Sequence, residues 1–135
     1  MSIETSKITD EAQIRQLLDD WVKATREGDK DAILSNHASD LLIFDVLAPL
    51  QYKGAEAYRK SLDEWWPTDD GEALFKMHEL NITADDTVAF AHCLIECGKK
   101  PNPDWVRATF CLQKINGKWM VTHQHGSMPI SLKKA

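Results

Sequence analysis

The sequence has no basic run and no basic stripe. Its 16 Lys and Arg stand against 21 Asp and Glu, and the resulting net charge of −5 is spread along the chain. Such a surface offers little to a phosphate backbone, so no nucleic-acid partner is expected. Long apolar runs are also missing. None approaches the length needed to span a bilayer, so no membrane partner is expected either. Residues 1–12 contain no apolar signal core, and the expected location is the cytoplasm. Cysteine is scarce: Cys93, Cys97 and Cys111 are the only three. An odd number without a secretion signal argues against a disulfide framework. Cys93 and Cys97 are four apart on an expected strand, on one face but too far apart to bridge. All three are read as packing residues. There are no internal repeats, low-complexity tracts or linkers, so residues 1–135 are read as one domain.

What the chain does have is order in its elements. Ile14, Leu17, Leu18, Trp21 and Thr25 make a helical stripe, with Thr9 or Asp10 as cap and Gly28 as stop. A short helix follows Asp29 to about His37. Leu41–Val46 reads as an apolar strand carrying one acid, Asp45, and the pattern then breaks up to Gly54. A third helix runs from Ala55 to Trp66, stopped by Pro67. Strands are expected over Leu74–Ala84, Thr87–Cys97, Trp105–Ile115 and Lys118–Ser127, the last two joined by an Asn116-Gly117 hairpin turn. Helices first and an antiparallel meander afterwards means α+β, with helices packed on one face of a curved sheet.

The last strand is the most telling. Strict alternation puts Trp119, Val121, His123, His125 and Ser127 on one face, apolar at first and polar later. A strand lining a half-open pocket should look like this. His123 and His125 would stand one above the other, able to donate to an oxyanion or to move a proton near neutral pH. The alternatives are a satisfied core histidine for His123 and a rim residue for His125. Ser127 could equally bond a neighbouring strand. Arg107, on the paired strand, needs an anion: Asp45, a substrate carboxylate, or simply solvent. His92 and His78 add to the imidazole count, and a metal is the minority reading. Trp65, Trp66, Phe75, Phe90 and Trp119 are candidates to wall a pocket or a core, and their number suggests a small apolar ligand. The hydroxyl of Tyr58 either enters the pocket or is carried there by core packing.

Particular residues resemble a known family. They are Trp21 to Asp29, then Phe44-Asp45 ahead of Gly54-Ala55-Glu56-Ala57-Tyr58, then the ending Trp119-x-Val121-x-His123-x-His125-x-Ser127. This set resembles the nuclear-transport-factor-2-like (NTF2-like) superfamily, in its SnoaL-like and ketosteroid-isomerase-like branch. The resemblance implies a cone: a curved antiparallel sheet wrapped around N-terminal helices, with a pocket inside and a homodimer across the outer face of the sheet. It implies no cofactor and no metal. It places Asp45 where the isomerases hold their general base, while Trp21 and about Cys111 stand where those enzymes hold the phenol and the neutral acid of the oxyanion hole. Steroid isomerisation is therefore not expected. The expected function is cofactor-free acid–base chemistry on a small apolar carbonyl compound, as an isomerase, cyclase or dehydratase. The alternative is a non-catalytic ligand-binding or dimerisation module.

Overall fold

A computed structural model of the protein describes residues 3–65, 74–98 and 101–132. Helix α1 spans Ile3–Glu27 and starts well before the expected caps. Ile14, Leu17, Leu18, Trp21 and Val22 are buried along its inner stripe, as their spacing requires. Asp10, expected as a cap, lies inside the helix and does other work. Its Oδ1 accepts from Lys114 Nζ at 2.8 Å and from Trp119 Nε1 at 3.1 Å. Burial pushes its carboxyl up, but those two bonds and the charge of Lys114 outweigh it and hold the pKa below the ordinary 3.8. Gly28 ends α1 with φ +70°, a conformation that suits a residue without Cβ. Asp29 then caps α2, Lys30–Leu34, accepting from the Ala32 N–H at 3.2 Å. This helix is shorter than expected because His37 already belongs to β1.

Strand β1 runs His37–Phe44, so Asp45 sits just past its end rather than within it. A two-residue edge strand, β2 at Tyr52–Lys53, pairs with β1 where the sequence showed only a break. Helix α3 spans Ala55–Trp65; Trp66 and Pro67 lie outside the described residues. The remaining strands fall close to expectation: β3 Leu74–Ala84, β4 Val88–Gly98, β5 Asp104–Ile115 and β6 Lys118–Ser127. Asn116 and Gly117, at φ 52° and 79°, form the expected primed turn between β5 and β6.

The sheet order is β2-β1-β6-β5-β4-β3. Only the β1–β6 pair is parallel. The helices pack on one face of this curved, mostly antiparallel sheet, giving the expected α+β cone. Alternation buries Ala91, Cys93 and Ile95 of β4 and Ala108, Phe110 and Leu112 of β5 on the inner face. No helix among the described residues is long and apolar enough to cross a membrane.

One irregularity decides which residues face the inside. Leu112 of β5 pairs with Val121, but Cys111 pairs with His123. Thr122 is the extra residue, and its hydroxyl donates to the Cys111 carbonyl at 3.3 Å. Such a bulge reverses the parity of everything beyond it. Trp119 and Val121 point inward before it; Gln124 and Gly126 point inward after it.

Candidate functional site

The inner face of the sheet, α1, α3 and the segment after β1 enclose a cavity of about 340 Å³. Its walls are mainly apolar. Trp21 meets Phe75 and Phe110 edge-on, with ring centroids 5.4 and 5.3 Å away. Leu62 of α3 and Ile95 and Val106 of the sheet add to this lining. Against these walls stand a few polar groups.

Tyr58 is one of them. Helix α3 turns it inward and leaves it 5% exposed. The Trp21 indole N–H donates to its hydroxyl oxygen at 3.0 Å. Burial pushes the phenol up to about 12, and the charge of Asp45 adds to this, although contacts with Trp21 and Gln124 pull the other way. The hydroxyl therefore keeps its proton at neutral pH and can donate it.

Gln124 lines the cavity from β6. Its Oε1 lies 3.1 Å from Nε2 of His37, which is 5% exposed behind it. With the amide in this orientation His37 Nε2 carries the hydrogen, while the buried Nδ1 makes no well-formed hydrogen bond and has only the Ile33 backbone near it. Burial is the main reason that the His37 pKa falls to about 4, against weaker support for the charged ring from Gln124 and the Ile33 backbone. The ring is thus neutral near neutral pH.

Asp45 is half-buried beside Gly126. The Val46 N–H donates to its Oδ1 at 2.7 Å. Burial raises its pKa above 3.8, and that one hydrogen bond offsets the rise only in part. Gly126 leaves room for the acid: a Cβ there would stand 3.8 Å from Asp45 Oδ1. Cys97 and Asp104, paired across β4 and β5, complete the polar lining towards the exposed end.

Four of the residues singled out from the sequence as site or wall candidates, Asp45, Trp21, Tyr58 and Phe75, meet at this cavity. Six others lie on the opposite face of the sheet. His123, His125 and Ser127 follow the bulge and are turned outward by it. His123 Nδ1 bonds the Leu42 carbonyl at 2.7 Å, and both imidazoles pack edge-on against Phe44. Arg107 donates through Nε to Ser127 Oγ at 3.1 Å and is exposed. Phe90 and His92 are exposed, in register with Cys111 and Thr109. Cys111, too, is therefore an outer-face residue, and its inward neighbours Phe110 and Leu112 are apolar. Trp119 is buried on the inner side, but against Asp10 rather than at the cavity. The Trp65 side chain lies outside the described residues. Cys93 is buried as expected, whereas Cys97 lines the cavity. Among the described residues, no group of three or more His, Cys, Asp and Glu is placed to hold a metal ion.

Sequence reasoning passed over Gln124, Gly126 and Asp104, read Cys97 as a packing residue and took His37 only as the end of a helix. A glycine inside a strand is a standing signal of a bulge or a close approach. Gly126, weighed that way, points to the register change before it.

Comparisons with known proteins agree with this architecture. The family model described as a SnoaL-like domain matches residues 14–131. Among solved structures, an NTF2-like protein of unknown function from Pseudomonas putida is 31% identical, covering 93% of this chain and 91% of that chain, with a TM-score of 0.87. An NTF2-like protein with a cystatin-like fold from Novosphingobium aromaticivorans is 15% identical, covering 93% and 85%, with a TM-score of 0.78. A ketosteroid isomerase-like protein from Erwinia carotovora atroseptica is 16% identical, covering 89% and 96%, with a TM-score of 0.71. At such identities the last two speak for the fold alone. No curated protein matches the sequence. The family model spans most of the chain, and the α+β cone is the fold of the solved NTF2-like neighbours: this protein belongs to the SnoaL-like family of the NTF2-like superfamily.

Proposed function

We propose that the cavity performs cofactor-free acid–base chemistry on a small apolar carbonyl compound. The observation that carries this reading is the pairing of an acid whose pKa burial has raised with a neutral phenol in one apolar cavity. A desolvated carboxylate is a stronger base than one in water, which suits removal of a proton next to a carbonyl. The developing enolate oxygen then needs a donor. Tyr58 supplies one: its oxygen accepts from Trp21, Gln124 contacts the same hydroxyl, and the phenol keeps the proton that it donates to the substrate oxygen. This replaces the histidines expected from the sequence as the oxygen-polarising group.

The test needs no knowledge of the natural substrate. A panel of cyclic ketones is incubated with the protein in deuterated buffer, and deuterium at the α-carbon is followed by NMR. Exchange above the buffer rate is the expected result. Gly126→Val should suppress it, because the new side chain projects into the space beside Asp45. Its Cβ makes only ordinary contacts, 3.4 Å to Val106 Cγ1 and 3.8 Å to Val46 Cγ2, so the fold should survive. Exchange at the buffer rate across the panel, with ketone binding intact, would leave a non-catalytic binding module instead.

The outer face supports a second reading, self-association of two copies. Val88, Phe90 and Trp105 are 54%, 49% and 44% exposed there, large apolar side chains on a surface that solvent alone does not favour. Phe90→Lys would bring like charges towards each other across a two-fold axis. Sedimentation should then show a dimer for the wild type and a monomer for the variant; a monomeric wild type rules the reading out.

A further inference from the structure

We infer that the cavity selects its ligand by charge, accepting uncharged carbonyl compounds and turning away carboxylates of the same shape. This rests on the cavity being the ligand site proposed above, and it narrows the substrate class. Two acids, Asp45 and Asp104, belong to the lining. Among the described residues, no Lys, Arg or His lines the cavity with them. Arg107, the cation that the sequence offered for holding an anionic substrate, is spent on Ser127 on the other face of the sheet. No described cation pairs with Asp45, whose one hydrogen bond comes from its own neighbour, the Val46 N–H.

The thiol of Cys97 shares the lining with both acids and is paired with Asp104 across β4 and β5. Burial pushes its pKa up, and the charges of Asp104 and Asp45 push it further. A ligand carboxylate entering the same space meets the same two charges. Asp45 meets it among aromatic and aliphatic walls, which screen repulsion far less than water does, and Asp104 meets it from the exposed rim. The remaining polar groups do not reverse the field. The Tyr58 hydroxyl and the Gln124 amide are neutral, suited to a carbonyl oxygen rather than to balancing a full negative charge.

Cyclohexyl methyl ketone and cyclohexanecarboxylate make a matched pair of probes, alike in shape and different in charge. Their affinities are measured at neutral pH by ligand-observed NMR, on the wild type and on the double variant Asp45→Asn/Asp104→Asn. The ketone should bind the wild type at least about tenfold more tightly than the carboxylate. In the double variant the carboxylate should gain about tenfold while the ketone changes by less than about threefold. Equal affinity of the two probes for the wild type overturns the inference, as does a carboxylate whose affinity the double variant leaves unchanged. The wild-type comparison stands even if the variant does not fold. Charge discrimination without any α-hydrogen exchange would sink the catalytic reading alone and leave the charge selection in place.

Discussion

Asp45→Asn should slow α-hydrogen exchange of a bound cyclic ketone by about 10² to 10⁴-fold, the share that a positioned general base contributes. The amide keeps the size and shape of the acid but cannot take a proton. Affinity for the ketone should stay within a few-fold, because the apolar walls do the binding. The same substitution makes a separate statement about stability. Burial raises the Asp45 pKa in the folded protein, so its ionised form opposes folding. That opposition is present above the raised pKa and fades as pH falls towards the ordinary 3.8. Asp45→Asn should therefore melt higher than the wild type at neutral pH, with a gain that shrinks on acidification. Loss of exchange together with a gain in stability is the signature of an acid kept for chemistry rather than for folding. If exchange persists at the wild-type rate, another group is the base.

Acidification should cost the wild type about 3 kcal/mol through His37 alone, a large part of an ordinary domain's stability. In the unfolded chain this imidazole takes a proton near 6.5, and in the folded protein only near 4. Its depressed pKa contributes stability that is fully present above 6.5 and is lost as pH falls towards 4. The cause is its position: the ring is buried behind Gln124, and that burial outweighs the support from Gln124 and the Ile33 backbone. Urea unfolding of the wild type and of His37→Gln, each across this pH range, isolates the effect. The slope of stability against pH is compared, so that any constant packing cost of the variant cancels. A wild type and variant with the same slope would show that His37 does not titrate in this way.

The architecture was legible because its signals are periodic and local. The stripe from Ile14 to Thr25, the Gly28 stop and the Asn116-Gly117 turn each depend on neighbours in sequence, and the end of α1 and the β5–β6 hairpin appear where these signals put them. Asp45, Trp21 and Tyr58 were legible as site candidates, Asp45 and Trp21 through the family resemblance and Tyr58 through its position on a helix. The polar half of the site was not. Placing Gln124 inside and His123 outside requires knowing that Thr122 is unpaired, and nothing in strict alternation announces that. The edge strand Tyr52–Lys53 was missed because two residues carry no period. Asp10 looked like a cap because Asp near a helical stripe usually is one. Its actual partners, Lys114 and Trp119, are over a hundred positions away.

The unpaired Thr122 acts as a reading frame for the closing strand. The ten residues of β6 spell two different sets of chemistry, an amide with a glycine on one phase and two imidazoles with a hydroxyl on the other. Removing or shifting that single residue would exchange the two sets between solvent and cavity. Relatives sharing this sheet can thus acquire a histidine-lined or an amide-lined interior by one insertion or deletion, a shorter evolutionary step than replacing the side chains one at a time.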